Sequence, residues 1–223
     1  MNSYKKLLTT AVITLVMVIG LTQCSTSPEP ESATDTYSEL FTEASLQKSL
    51  STITTGDLSD LEKEGLLFMR EEEKLARDVY ITLNDIYNLR VFKNISRSEQ
   101  IHMNAVKYLL DIYELEDPAE GNEVGVFTNP DLQALYDNLI ASGMVDEIEA
   151  LKVGALIEET DIADLQTHIA EIDDNADIKF VYQNLLRGSS YHLRAFVFNL
   201  KVRGVIYEPQ ILDSLLYMDL LAD

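Results

Sequence analysis

The chain has 223 residues, a formal charge of −21 and one cysteine. That charge speaks against nucleic-acid binding, which needs clustered Lys and Arg, and a lone cysteine rules out an internal disulfide framework. The apolar share is 46%, which is not the composition of a disordered chain. Glycine and proline are sparse and tryptophan is absent, which leaves long stretches without breakers and predicts an all-α fold.

Lys5 and Lys6 precede an apolar run from Leu7 to Leu21, too short and wrongly flanked for a membrane-spanning helix. It ends at Leu21-Thr22-Gln23-Cys24. Residues 1–23 resemble a bacterial lipoprotein signal peptide, which makes Cys24 the lipidated first residue of the mature chain. A plain signal peptide or a retained anchor are the alternatives. Lipid on Cys24 would hold the protein to a membrane, in the cell envelope, without a spanning helix. Residues 24–56 read as a tether: Ser25 to Ser38 is rich in Ser, Thr, Pro and Glu and poor in buriable surface. A short helix over Leu40–Leu50 follows, and residues 57–223 form the folded domain.

Periodicity predicts a first long helix over Leu58–Leu89, capped by Asp57 or Ser59. One stripe reads Leu66, Met69, Glu73, Ala76, Tyr80, Leu83, Tyr87. Glu73 is its only charged member, and a core carboxylate must be paired, protonated or metal-bound. Glu62, Lys63, Lys74 and Asp78 are assigned to the solvated face. The second helix is expected after Ser96 or Ser98, running to Leu115, with Glu99-Gln100-Ile101-His102 in its first turns. Ser96 and Glu99 match a capping box, which is the competing role for Glu99. His102 continues an apolar row with Val106, Leu109 and Tyr113.

Asp117 to Asn129 reads as a loop, and Asn129-Pro130-Asp131 starts a short helix ending at Gly143. A third long helix, Asp146–Ile172, carries Leu151, Ala155, Glu158, Ile162 and Leu165 on one stripe, with Glu158 alone in being charged. The fourth, Ala176–Val202, is expected to be capped by Asn175 and carries Leu185, Ser189, His192 and Phe196. Gln210–Leu221 closes the chain as a last helix.

Two half-sites thus follow one order: Glu73 before Glu99 and His102, Glu158 before Ser189 and His192. A Glu on one helix and Glu-x-x-His on the next is the half-site of di-iron and di-manganese carboxylate bundles. Over about residues 58–203 the chain resembles the ferritin-like superfamily, and within it the DUF2202 family. The resemblance rests on residues 69–80 (MREEEKLARDVY), 99–102 (EQIH), 157–162 (IEETDI) and 187–196 (RGSSYHLRAF). Residues 73–80 are also similar to the first ligand helix of rubrerythrins.

The resemblance implies a ferritin-like four-helix bundle with a crossover helix and a C-terminal helix. It further implies one or two iron or manganese ions, with zinc as a third option, on Glu73, Glu99, His102, Glu158 and His192. An iron-dependent oxidase or peroxidase is the implied activity. The departure is Ser189, where the pattern wants a Glu; Asp161 or Glu159 are the residues that would compensate. The alternative is an envelope structural or interaction module without a di-metal centre, in which Arg77 and Arg194 neutralise the buried carboxylates.

Overall fold

The computed structural model describes residues 43–50, 52, 53 and 55–222; the lipidation site Cys24, the signal segment and most of the tether lie outside the described residues. Seven helices are described: α1 Glu43–Leu50, α2 Asp60–Tyr87, α3 Arg90–Ile112, α4 Pro130–Gly143, α5 Glu147–Glu171, α6 Ala176–Val202 and α7 Ser214–Ala222. No strand occurs among the described residues. The protein is all-helical, a four-helix bundle of α2, α3, α5 and α6.

Local chemistry sets most helix ends. Ser59 caps α2 in a full capping box, its Oγ accepting from Glu62 N at 3.2 Å while Glu62 accepts from Ser59 N at 2.9 Å. Asn88 ends α2 in the left-handed conformation (φ 51°) that asparagine tolerates. Asn129 and Asp146 cap α4 and α5 through their side chains, and Pro130 takes the first position of α4.

The start of α3 corrects the sequence reading. The helix begins at Arg90, not after Ser96 or Ser98, and Ser96 turns its hydroxyl back to the Lys93 carbonyl. Starting early buries Val91, Phe92 and Ile95, a larger gain than one serine cap. Glu99 is therefore two turns inside the helix and is no cap. Asn175 departs as well: it makes no side-chain cap to α6. Its Oδ1 instead accepts from Gly56 N at 2.7 Å and its Nδ2 donates to Glu62 at 3.0 Å, tying the α5–α6 turn to the start of α2.

α2 packs beside α3 and α5, and α6 beside α5 and α3. Gly65 meets His168 while Tyr80 meets Gly154, so α2 and α5 run antiparallel; Tyr113 meets Asp177 while Ser98 meets His192, so α3 and α6 do too. The α3–α5 connection must then travel the length of the bundle, and it carries α4, which lies against α2 and α5. Gly154 lets α5 approach α6: a Cβ there would stand 2.3 Å from the Phe196 ring.

The charged run on α2 holds this crossover in place. Arg70 pairs with Asp117 at 2.9 Å and Glu71 accepts the Thr128 and Asn129 amides at 2.6 and 2.9 Å. Lys74 donates to Asp78 and to the Glu123 carbonyl, and Asp78 accepts the Gly125 amide at 2.9 Å. Lys74 and Asp78, expected on the solvated face, are fully buried, and so is Glu62. The crossover covers Lys74 and Asp78, and the α5–α6 turn reaches Glu62 through Asn175, contacts that helical periodicity alone does not reveal.

The apolar core divides in two. One half gathers Leu75, Val79, Tyr80, Phe92, Leu151 and Phe196; the other Leu66, Met69, Val106, Leu109, Leu165 and Tyr182. Between them lies a polar layer.

Candidate metal centre

Each helix of the bundle contributes to that layer from its core-facing stripe: Glu73 from α2, Glu99 and His102 from α3, Glu158 from α5, His192 from α6. None is more than 2% exposed. Glu99 and His102 lie one turn apart on one face, as the three-residue spacing requires.

His102 Nδ1 stands 2.8 Å from Glu99 Oε2 and 3.2 Å from Glu73 Oε2. His192 Nδ1 stands 2.7 Å from Glu99 Oε1 and 3.5 Å from Glu158 Oε2. The side chains form two overlapping triads, Glu73–Glu99–His102 and Glu99–Glu158–His192, each with its donor atoms within 4.8 Å of one another. Glu99 belongs to both, one oxygen to each. Glu99 Oε1 and His192 Nδ1 are in close contact, yet neither has an aligned hydrogen-bond partner. Donors that converge without bonding each other are what a shared cation requires, and carboxylate oxygens with imidazole nitrogens suit iron, manganese or zinc.

Further polar groups hold the layer. Ser98 Oγ meets His192 Nε2 at 3.0 Å, which directs Nδ1 inward. Tyr80 donates to Glu158 Oε1 at 2.5 Å. Ser189 donates to Asp161 and, as a second contact, lies 3.0 Å from the Leu185 carbonyl.

Burial pushes the Glu73 carboxyl up to about 7, with His102 opposing and Glu99 adding to the rise. Burial and the Glu99 charge bring Glu158 to about 7 against the pull of His192. For Glu99 burial is overcome by His192 and His102, and it is held below the usual carboxylate range. Burial alone would lower His192, but Glu99 and Glu158 raise it to about 10. His102 is likewise driven well up, by Glu73 and Glu99 against burial. Asp161 is raised by burial and by Glu73 and Glu158. The layer therefore has more carboxyls than cations and, without a metal, relies on protons.

Residues 62–222 match the model of a family described as an uncharacterized protein domain, DUF2202. The chain belongs to the DUF2202 family. It is 50% identical over 173 residues to Uncharacterized protein MJ0754 of Methanocaldococcus jannaschii, covering 78% of this chain and 93% of that protein. The crystal structure of MJ0754 from Methanococcus jannaschii superposes with a TM-score of 0.75, covering 77% of this chain and 98% of that one.

In this DUF2202 chain the arginines expected to neutralise the carboxylates do not reach them. Arg77 pairs with Asp78 and Gln100, and Arg194 donates to the Leu220 carbonyl and stacks on Tyr191. Of the two compensating candidates, Asp161 reaches Ser189, whereas Glu159 points the other way. Glu159 accepts from Tyr207 Oη and from the amides of Gln210, Ile211 and Leu212, pinning the C-terminal segment. With those amides committed, the last helix starts at Ser214 and not at Gln210. His168 lies outside the layer, against Glu171 and Phe68.

Ser98, read from sequence only as a possible helix start, and Glu72, read only as part of the charged run, are the residues of this region whose place the sequence did not give. With α3 begun at Arg90, Ser98 falls on the buried row Val91–Ser98–Ala105, and that row was the available signal.

Proposed function

We propose that this protein is a ferritin-like, metal-binding helical bundle that holds one or two transition-metal ions, iron or manganese first and zinc as a third candidate. Glu73 and His102 would hold one ion, Glu158 and His192 the other, and Glu99 would bridge them. The observation that carries this reading is the sharing of Glu99 between two buried triads, with Glu99 Oε1 and His192 Nδ1 facing each other unbonded. The absence of any Lys or Arg partner for these carboxylates among the described contacts supports it, because a buried anion cluster needs a countercharge.

Bound iron would supply Fe(II) oxidation by oxygen or a peroxide. The protein's own contribution is to exclude water with two apolar half-cores, to orient His192 through Ser98, and to keep a phenol proton on Tyr80 beside Glu158. Burial and the Glu158 and Glu99 charges raise Tyr80 well above its ordinary value, so it remains a donor. Lipidation at Cys24 would tether this domain to a bacterial membrane; no described helix is long and apolar enough to cross one.

A second reading, an envelope structural or interaction module without metal, is favoured by one observation: Ser189 stands where the di-metal pattern wants a Glu and spends its hydroxyl on Asp161. Elemental analysis of residues 25–223, purified without chelator and offered Fe(II), Mn(II) or Zn(II), separates the two. Near two ions per chain supports a dinuclear centre and near one a mononuclear site. No ion in a folded, helical domain overturns the metal reading.

A further inference from the structure

Charge is unevenly spread over this acidic chain. Residues 86–98, around the start of α3, and residues 178–207, nearly all of α6, contain no Asp or Glu. They nevertheless hold eight of the 17 Lys and Arg, three in the first stretch and five in the second. α3 and α6 are antiparallel neighbours, so the first half of α3 lies beside the second half of α6. At that end Arg90, Lys93 and Arg97 on α3 and Arg187 and Lys201 on α6 are exposed. Several cations elsewhere are spent on carboxylates: Arg70 on Asp117, Lys74 on Asp78, Lys107 on Asp111 and Lys152 on Glu149. Lys93, Arg97 and Lys201 make no side-chain hydrogen bond or ion pair among the described contacts. Apolar side chains stand among them. Val202 is 56% exposed and Ile206, just past the end of α6, is 84% exposed. Lys201, Ile206 and the exposed Met218 of α7 line one open groove, where Arg194 ties α6 to α7 through the Leu220 carbonyl.

We propose that this end of the α3–α6 face, with the edge of α7, rests on the surface of an anionic lipid bilayer. Lys and Arg near such a surface are drawn to its headgroups, and exposed apolar side chains enter the boundary between headgroups and acyl chains. A nucleic acid would satisfy the cations and leave Val202, Ile206 and Met218 in water; a bilayer satisfies both. Two exposed acids, Glu208 on the groove and Asp219 on α7, bound the contact. The rest of the chain carries the negative charge, which the bilayer repels, so the same field that attracts this face turns the others away. The segment before the bundle favours a bilayer over an acidic protein. α1 packs against α3, so the chain preceding it leaves from beside one of the two helices of the face. From Cys24 to Glu43 is 43 − 24 = 19 residue steps, about 60 Å when extended, which exceeds the length of α6, about 40 Å. A chain held at Cys24 thus reaches the membrane with this face down. The choice of a bilayer rests on the proposed tether; the attraction of the face to anionic lipid does not need it.

The chain has no tryptophan, so one introduced by substitution reports alone. The full-length protein is mixed with vesicles of brominated phosphatidylcholine, with and without about one-third phosphatidylglycerol. Flotation measures attachment, and bromine quenching shows which face meets the lipid. On the anionic vesicles Val202→Trp should be quenched about twofold more than Leu135→Trp, which lies on α4 at the opposite side of the bundle. Adding Lys93→Gln, Arg97→Gln and Lys201→Gln to the Val202→Trp chain should bring the two signals together, and so should salt at about 0.5 M. All three positions are exposed, so folding is not at stake. Flotation separates this face from the tether. A chain that floats only on anionic vesicles, and only with these cations, keeps the face without a tether. A chain that floats with Val202→Trp quenched no more than Leu135→Trp keeps the tether and overturns the proposal. No flotation on either vesicle also overturns it, as does a dimer that the triple substitution dissociates without changing the quenching, which would assign the face to a second copy.

Discussion

Ser189 on α6 donates a hydrogen bond to Asp161 on α5, so a buried carboxylate is delivered from the neighbouring helix to the place where the fourth helix itself carries none. Both side chains lie in the core, and Asp161 feels the charges of Glu73, Glu158 and Glu99. Asp161 stands one turn from Glu158 on the same helix, so one helix supplies two acidic groups where the repeat of the other half would divide them.

Under the proposed metal-binding reading, unequal effects on metal stoichiometry are expected from this arrangement. Glu99→Gln should remove all bound metal, since both triads lose a ligand, whereas Glu73→Gln should remove one ion and Asp161→Asn should lower affinity without changing the count. Elemental analysis of the three variants beside wild type checks the order. Equal loss in Glu99→Gln and Asp161→Asn would contradict the bridging role of Glu99.

The metal-free protein should lose stability as pH rises. Glu73 and Glu158 are raised to about 7 and His192 to about 10. Groups with a folded value above the unfolded one stabilise fully below the unfolded value and lose that contribution as pH climbs through the folded one. The loss thus runs from the ordinary carboxylate range up to about 7 for the two acids, and from the ordinary imidazole range up to about 10 for His192. Metal should reverse the trend, because ligation needs ionised carboxylates and neutral imidazole. Urea midpoints at about pH 5, 7 and 9, with chelator and with metal, should diverge progressively.

Asp78→Ala should cost about 3–5 kcal/mol, since it strands the buried Lys74 ammonium and releases the Gly125 amide. Denaturant unfolding measures the cost, and protease cleavage within residues 118–128 should accelerate if this pair anchors the crossover. Unchanged cleavage would assign the pair to helix stability alone.

Gly154→Ala should destabilise by about 1–3 kcal/mol through overpacking against Phe196, although alanine is the better helix former by about 1 kcal/mol. The readout is the thermal midpoint. A gain in stability would mean the Phe196 ring yields freely.

The stripes on the four long helices were legible because each keeps strict helical spacing, and Glu73, Glu99, His102, Glu158 and His192 were visible as their polar interruptions. What stayed hidden depended on contacts across the chain. Asp78 reads as surface until Gly125 and Lys74 close over it. Asn175 reads as a cap until Gly56 and Glu62 claim its side chain. Ser96 with Glu99 imitates a capping box because the motif is local, while the burial of Phe92 and Ile95 that moves the helix start is not.

Glu158 and Glu159 are neighbours on α5 that project about 100° apart around the helix, one toward the polar layer and one into the hydroxyl and amides of residues 207–212. α5 is thereby indexed like a keyed shaft. It cannot rotate to open the layer without withdrawing Glu159 from its donors, so the C-terminal segment acts as a remote latch on the aim of Glu158.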